Sequence, residues 1–146
     1  MRIKELGHVV LYVTNLKKLA DFYRDILGFN EVVRQGPMAV FSSGRTHHEM
    51  LLIEVGGKPH SQEMKSGLYH IGFKVADSTE ELKKVYQELK EKNVEILGTN
   101  DHTVTHSIYI LDPDGNELEL YADVSDEWKK NPNAIIAPVK SLDLEE

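Results

Sequence analysis

An internal repeat constrains the fold of this sequence more than any other feature. The stretches HVVLYV at His8 and HIGFKV at His70 both have the apolar, β-branched pattern of short buried strands. A spacing of 62 residues separates His8 from His70, and one of 65 separates Gly28 from Asn93. The repeat predicts one duplicated fold, because each half alone is too small to bury a large core.

Each half carries the same predicted order of elements: one strand, one helix and three strands. Asn15 caps the first helix and Gly28 ends it, whereas Ser78 and Glu81 form a capping box for the second, which Asn93 ends. The predicted strands are 6–13, 29–34, 37–42, 48–55, 67–75, 94–97, 104–111 and 117–122. This order predicts an α+β fold in which tandem βαβββ modules, about 5–56 and 67–122, form a cupped mixed sheet within a single domain, 1–125.

The chain after this domain has a different composition. Residues 126–146 combine apolar side chains with an acidic end, and the apolar ones include Trp128, Ile135, Ile136 and Val139. So many apolar side chains are unusual for a free tail. We expect this C-terminal tail to pack on the domain or on a partner chain, and we expect a homodimer.

Charge and composition exclude several classes of function. The 146-residue chain has a formal net charge of -7, which disfavours nucleic acid and anionic membranes as partners. It has no cysteine, so disulfides, thiolate metal sites and cysteine nucleophiles are excluded. Because no apolar leader or membrane span is evident, we expect a cytoplasmic protein that binds a small molecule.

Two histidines and one glutamate are the candidate metal ligands. A single strand histidine is usually a hydrogen-bonded or half-exposed residue, but His8 and His70 occupy equivalent points of the repeat, and Glu119 lies in its closing strand. Such a set suits a divalent ion with open coordination positions. Glu54 precedes Glu119 by the same 65 residues and is a candidate fourth ligand, although a solvated carboxylate at a strand end explains it equally well.

Other polar residues are candidates for catalysis. Strand alternation puts only one of His47 and His48 on the side of His8, and we choose His48 as a general acid or base; a surface histidine is the alternative. The Tyr109 hydroxyl is placed to contact a ligand, unless it is a packed strand tyrosine. His102 is a candidate pocket residue.

The pocket itself is predicted to be partly apolar. Its lining residues are expected from the strand that follows His8 and from the fourth strand. Tyr12 and Met50 are the predicted substrate contacts, together with Val10 and Leu52. They do not define the substrate.

The motifs of this chain resemble those of the vicinal oxygen chelate superfamily, which includes glyoxalase I, bleomycin-resistance proteins and type I extradiol dioxygenases. DFYRDILGF and DPDGNELEL carry the resemblance to the superfamily, and THHE and DHTVTHSIY are similar to its small single-domain extradiol branch. The resemblance implies Fe(II), or else Mn(II), held by His8, His70 and Glu119. It also implies an acid/base role for His48 and an active-site role for Tyr109, while His102 only approximates a further substrate-contacting histidine of the branch.

Two other activities remain open within this resemblance. In a glyoxalase I-like isomerase or lyase, Glu54 would be the fourth ligand of Ni(II) or Zn(II). In a drug-binding resistance protein there would be no chemistry, but that branch generally lacks the metal triad.

Overall fold

A computed structural model describes residues 1–145, and it divides the chain into two compact units. Unit 1 comprises Met1–Ser61 with Asp112–Gly115, and unit 2 comprises Gln62–Leu111 with the chain from Asn116 onward. Each unit contains one module with the order strand, helix, three strands. The predicted α+β class and tandem βαβββ arrangement are therefore confirmed.

Unit 1 is a four-stranded mixed sheet with one helix. Its elements are β1 (Val9–Val13), α1 (Leu16–Asp21) with a π-helical turn (Phe22–Ile26), β2 (Asn30–Gln35), β3 (Met38–Ser42) and β4 (Met50–Glu54). The strand order is β1-β4-β3-β2, and β1 is parallel to β4. Helix α1 packs on β3 and β4, so one face of the sheet is buried against it.

The helical segment formed by α1 and the π-helical turn begins and ends where the sequence predicts. The Asn15 side chain accepts a hydrogen bond from the Lys18 amide at 2.9 Å, and Gly28 has the left-handed φ of 77° that follows a helix end. The last turn departs from the prediction, because Phe22–Ile26 adopts a π-helix. That turn contains Tyr23, whose side chain is fully buried and hydrogen-bonds Asp112.

Unit 2 repeats this arrangement and adds one strand. Its elements are β5 (His70–Ala76), α2 (Thr79–Glu91), β6 (Ile96–Asp101), β7 (Thr105–Leu111), β8 (Glu117–Asp123) and β9 (Lys140–Ser141). The order is β5-β8-β7-β6-β9, and β5 is parallel to β8. Helix α2 packs on β5, β7 and β8. Hydrogen bonds thus form one sheet in each module, rather than the single sheet that we expected.

The ends of α2 confirm the predicted caps with one change. The Ser78 hydroxyl accepts from the Glu81 amide at 3.2 Å, but the Glu81 carboxylate accepts from the Asp77 amide, one residue before the cap. Asn93 has a φ of 57° and ends the helix, as Gly28 does in unit 1.

The turn Asp112–Gly115, which connects β7 to β8, is held by buried polar contacts of unit 1. The Tyr23 hydroxyl donates to the Asp112 carboxylate at 2.7 Å. Thr14 donates to both carboxylate oxygens of Asp114, through its amide at 2.8 Å and its hydroxyl at 2.6 Å. Burial, followed by the neighbouring Asp112 charge, raises the pKa of Tyr23 well above its usual value. The polar residues of the DPDG motif therefore have a structural role.

The C-terminal tail packs on unit 2 through residues other than those expected. Strand β9 pairs with β6, Leu144 is buried, and Glu145 accepts hydrogen bonds from Tyr86 and Lys90 of α2. The four apolar residues that suggested packing remain between 44% and 80% exposed; they are Trp128, Ile135, Ile136 and Val139. Across residues 1–145, no helix is long and apolar enough to cross a membrane.

Candidate functional site

The face of the unit 2 sheet opposite α2 carries two of the three predicted metal ligands. His70 begins β5, and Glu119 lies on the neighbouring strand β8, directly across from Gly72. The His70 Nε2 and Glu119 Oε2 atoms are 3.1 Å apart, and both side chains are partly shielded from solvent. Two ligand atoms at about 2.1 Å from one divalent ion and at right angles are about 3.0 Å apart, so this separation fits a shared ion.

Two hydroxyl groups of β7 orient the Glu119 carboxylate. Ser107, which is fully buried, donates to Glu119 Oε1 at 2.6 Å, and Tyr109 donates to the same oxygen at 3.2 Å. Burial and the adjacent Glu119 charge raise the pKa of Tyr109, which keeps its hydroxyl protonated. Because both donors use Oε1, Oε2 is left to face His70.

His102 and Asn100 extend this array beyond Tyr109. The His102 Nε2 and Tyr109 hydroxyl oxygen are 2.7 Å apart, and His102 Nε2 is 4.0 Å from Glu119 Oε1. The Asn100 side chain also lies close to the Tyr109 hydroxyl. The structure thus brings together four predicted site residues of unit 2: His70, His102, Tyr109 and Glu119.

In unit 1, the structure brings His8 and His48 together. Their ring centroids are 4.3 Å apart, and the Nδ1 atoms of His47 and His48 are 2.6 Å apart. Partial desolvation, followed by the nearby imidazoles of His8 and His47, lowers the pKa of His48 below its ordinary value of 6.5. A proton acceptor with a lowered pKa is mostly neutral, and therefore available as a base, at neutral pH.

The turn before β4 is fixed next to the segment that carries His8. Arg45 donates to the Gly7 carbonyl at 2.9 Å, and its Nε is 3.5 Å from the Glu49 carboxylate. Glu49 in turn accepts from the Ser43 amide and hydroxyl. His48 precedes β4, so its position beside His8 depends on this turn and not on the strand alternation that we used to choose it.

Met50 is a correction to the predicted pocket. The register pairs Val10 with Leu51 and Tyr12 with Ile53, so these residues share one face of the sheet. Met50 lies on the opposite face and is fully buried in the core beside α1, as is Leu52. The prediction is wrong because His48 lies outside β4, so strand alternation does not extend from His48 to Met50. Tyr12 is 70% exposed on the face expected for it.

Glu54 lies at the other end of β4 from the histidines. It pairs with Val13, four residues or about 13 Å along the strand from the Val9–Met50 pair next to His8. Its carboxylate accepts from the Leu16 amide at 2.7 Å, at the start of α1. The register also corrects the repeat alignment: Val10–Leu51 corresponds to Gly72–Glu119, so the equivalent of Glu119 in unit 1 is Leu51 and not Glu54.

The described residues provide two ligands for a divalent metal ion but not a complete group of three. Within residues 1–145, no three histidine, cysteine or acidic side chains form a group that could hold a metal. His8 belongs to unit 1, and the His70–Glu119 pair belongs to unit 2. The pair itself supplies imidazole and carboxylate donors at a suitable separation. A Cβ added to Gly72 would lie 3.6 Å from Glu119 Oε2, so this glycine leaves room beside the carboxylate.

Sequence reasoning missed several residues that surround the ligands. Ser107 and Asn100 contact Glu119 and Tyr109, and Glu117 lies beside His70. Alternation puts Glu117 on the same face as Glu119 and could have put Ser107 with Tyr109, but the pairing register, which decides their contacts, is absent from the sequence.

Comparison with known proteins identifies relatives over most of the chain. The profile of the Glyoxalase/Bleomycin resistance protein/Dioxygenase superfamily matches residues 5–120. Metallothiol transferase FosB from Staphylococcus haemolyticus is 36% identical over 121 residues, covering 82% of this chain and 84% of that protein. Biphenyl-2,3-diol 1,2-dioxygenase 3 from Rhodococcus globerulus is 32% identical over 120 residues, covering 81% of this chain and 63% of that protein. These matches confirm the resemblance that the motifs indicate.

Solved structures share the fold. A glyoxalase/dioxygenase from Nostoc punctiforme superimposes with a TM-score of 0.67 at 20% identity, covering 84% of this chain and 92% of that chain. Lactoylglutathione lyase from Agrobacterium tumefaciens superimposes with a TM-score of 0.64 at 21% identity, covering 84% of this chain and 96% of that chain. At these identities the likeness concerns the fold alone.

Proposed function

Because this chain belongs to the glyoxalase/bleomycin resistance protein/dioxygenase superfamily, we propose that it is a metal-dependent ring-cleaving dioxygenase that acts on a catechol-type aromatic diol. Members of this superfamily bind divalent metal ions. The proposed ion is Fe(II), with Mn(II) as the substitute, and the proposed ligands are His70 and Glu119 together with His8. The ion would provide adjacent positions at which the diol and O2 bind and exchange electrons.

One observation carries this proposal: a continuous polar array lies beside the ligand pair in unit 2. From His102 through the Tyr109 hydroxyl to Glu119, each step is a hydrogen-bonding distance of 2.7 or 3.2 Å. An ionised or partly ionised diol needs donors close to its oxygens, and Tyr109 keeps its proton because its pKa is raised. His102 and Tyr109 would therefore hold a substrate oxygen.

His48 is proposed as the group that accepts the proton of the substrate hydroxyl. Its lowered pKa favours the neutral imidazole, which has a free lone pair. In the overall reaction, the ring bond next to the diol breaks and both atoms of O2 enter the product. The proton that His48 takes up would be returned to the ring-opened product. Tyr12, exposed beside Val10, would contact the aromatic ring.

A panel of catechols with different ring substituents tests the proposal. The protein is loaded with Fe(II) without oxygen, then exposed to air with each catechol, and the products are identified by mass spectrometry. We expect at least one catechol to yield a product heavier by one O2. The proposal is wrong if the protein binds iron stoichiometrically and every catechol is recovered unchanged.

A metal-dependent thiol transferase is the second candidate, and the identity to metallothiol transferase FosB favours it. The ligand pair suits either activity, since both need a divalent ion with open positions. The same metal-loaded protein can be incubated with a thiol and an electrophile in place of catechol and O2. Thiol consumption that depends on Glu119, without any catechol cleavage, would establish this alternative.

A glyoxalase I-like activity receives less support from the site. It was predicted to use Glu54 as a fourth ligand with Ni(II) or Zn(II), but the Glu54 carboxylate bonds the Leu16 amide at the start of α1. A drug-binding role without catalysis would leave the oriented His70–Glu119 pair unexplained.

We also propose that the protein is a homodimer. Four apolar residues of the C-terminal tail remain largely exposed on unit 2: Trp128, Ile135, Ile136 and Val139. Their burial against a second copy would stabilise an association. Sedimentation should give twice the chain mass, and a particle of one chain mass at all concentrations would contradict this.

A further inference from the structure

Glu117 faces the imidazole nitrogen of His70 that the proposed metal does not use. The two residues are direct neighbours in the β5–β8 register, and the His70 Nδ1 and Glu117 Oε2 atoms are 3.4 Å apart. Both atoms are buried, and among the described residues neither has a hydrogen-bond partner. Two buried polar atoms that face each other without other partners are complementary, since a small rotation of either side chain satisfies both.

The two carboxylates of β8 lie at opposite nitrogens of the same ring. Glu119 Oε2 is 3.1 Å from Nε2, whereas Glu117 Oε2 is 3.4 Å from Nδ1. A neutral imidazole has one protonated and one free nitrogen, and only the free nitrogen binds a metal. If Nδ1–H donates to Glu117, Nε2 is left free on the side where Glu119 supplies its oxygen.

We propose that Glu117 is a positioning residue that accepts the His70 Nδ1 proton, fixes the Nε2 lone pair toward the metal and thereby increases metal affinity. This inference rests on the proposed metal site at His70 and Glu119. A carboxylate behind a histidine ligand orients the ring and increases the basicity of its metal-binding nitrogen. Tyr69 also lies close to Glu117, since burial and the nearby Glu117 charge raise the pKa of its hydroxyl.

The corresponding carboxylate of unit 1 has other partners. Glu49 occupies the equivalent register position, since the Val9 amide donates to its carbonyl next to His8. Its side chain, however, bonds Ser43 and lies beside Arg45. Glu117 therefore differs from Glu49, because its carboxylate faces a histidine. That histidine is His70, the proposed ligand that lies beside Glu119.

Two substitutions separate the role of Glu117 as an acceptor from its charge. Glu117→Leu removes the acceptor, whereas Glu117→Gln keeps an oxygen that can accept. Glu95→Leu, at an exposed position of the same unit, is the matched control. The first measurement is the His70 tautomer in the metal-free full-length protein that carries Glu119→Ala, which removes the acceptor 3.1 Å from Nε2. It is read from nitrogen-15 NMR of the imidazole at mildly alkaline pH, and each change at Glu117 is compared in this background. The second is Mn(II) affinity, from the free Mn(II) signal in electron paramagnetic resonance.

In the Glu119→Ala background we expect the Nδ1–H tautomer with Glu117 and with Glu117→Gln, and its loss with Glu117→Leu. Glu117→Leu should bind Mn(II) about 10- to 100-fold more weakly than the wild type, and Glu117→Gln should show a smaller loss of affinity. The affinity of Glu95→Leu should stay within about twofold of the wild type. The inference is overturned if the Glu119→Ala protein with Glu117 intact shows the Nε2–H tautomer, or if Glu117→Leu keeps both the tautomer and the Mn(II) affinity. If Glu117→Leu does not fold, the spectra with Glu117 and with Glu117→Gln still decide. An Nδ1–H tautomer together with a wild type that binds no metal would contradict the proposed function and leave the Glu117–His70 contact established.

Discussion

At the scale of single residues, His48 is the side chain whose chemistry can be separated from metal binding. It lies beside His8, yet its proposed task is proton transfer. We expect His48→Ala to lower kcat for catechol cleavage by about 10²- to 10⁴-fold, because a positioned general base contributes that much. Iron content should be unchanged, and His60→Ala, at an exposed histidine elsewhere in unit 1, should have no effect. Full activity in His48→Ala would show that another group takes the proton.

Glu54 distinguishes a three-ligand site from a four-ligand site. Its carboxylate holds the start of α1 through the Leu16 amide, so Glu54→Gln, which keeps an acceptor oxygen, should leave metal affinity unchanged. Glu54→Ala should also bind metal normally, but should lower the free energy of unfolding by about 0.5–2 kcal/mol, as the loss of a helix cap does. Weaker metal binding by Glu54→Gln, measured by titration, would instead support the four-ligand site.

At the scale of elements, a buried hydrogen bond joins the π-helical turn to the DPDG turn. Tyr23→Phe removes the hydroxyl that donates to the buried Asp112 carboxylate. We expect the free energy of unfolding to fall by about 1–3 kcal/mol in urea denaturation, because a buried acceptor loses a donor. Tyr86→Phe loses an exposed hydrogen bond to Glu145 and should change stability much less. Equal effects of the two variants would contradict a buried structural role for Tyr23.

Local sequence signals predicted the elements well and their pairing less well. Caps and turns depend on residues that are close together in sequence. Asn15, Gly28, Ser78 and Asn93 therefore mark the helix ends correctly. Strand register depends on hydrogen bonds between distant segments. For this reason the constant spacing of the repeat paired Glu54 with Glu119, although the register aligns Leu51 with Glu119.

At the scale of the whole molecule, the candidate site residues that the structure joins around Glu119 all come from one module. The sequence predicted His70, Tyr109 and Glu119 as site residues, and the structure joins them within unit 2. It did not predict Ser107 or Glu117, because neither a buried serine nor a strand carboxylate is distinctive before the neighbouring strand is known. The sequence therefore indicates the chemically unusual residues of the candidate site, whereas the residues that support them become evident only in the structure.

Metal removal should affect the stability of the whole protein. A ligand that binds only the folded state at about 100 times its Kd stabilises it by about 2.7 kcal/mol. We therefore expect a chelator to lower the Tm of the wild type in calorimetry, and Glu119→Ala to have a low Tm that the chelator does not change. A Tm shift that persists in Glu119→Ala would place the metal elsewhere, and Glu95→Ala serves as the control.

The proposed ring cleavage is tested most directly by the ratio of O2 to catechol consumed by the Fe(II)-loaded protein. An oxygen electrode and chromatography of the same sample give both quantities. We expect one O2 for each catechol in the wild type, and no consumption in His70→Ala or Glu119→Ala. Stoichiometric iron in the wild type without any O2 uptake across the catechol panel would contradict the proposed dioxygenase function.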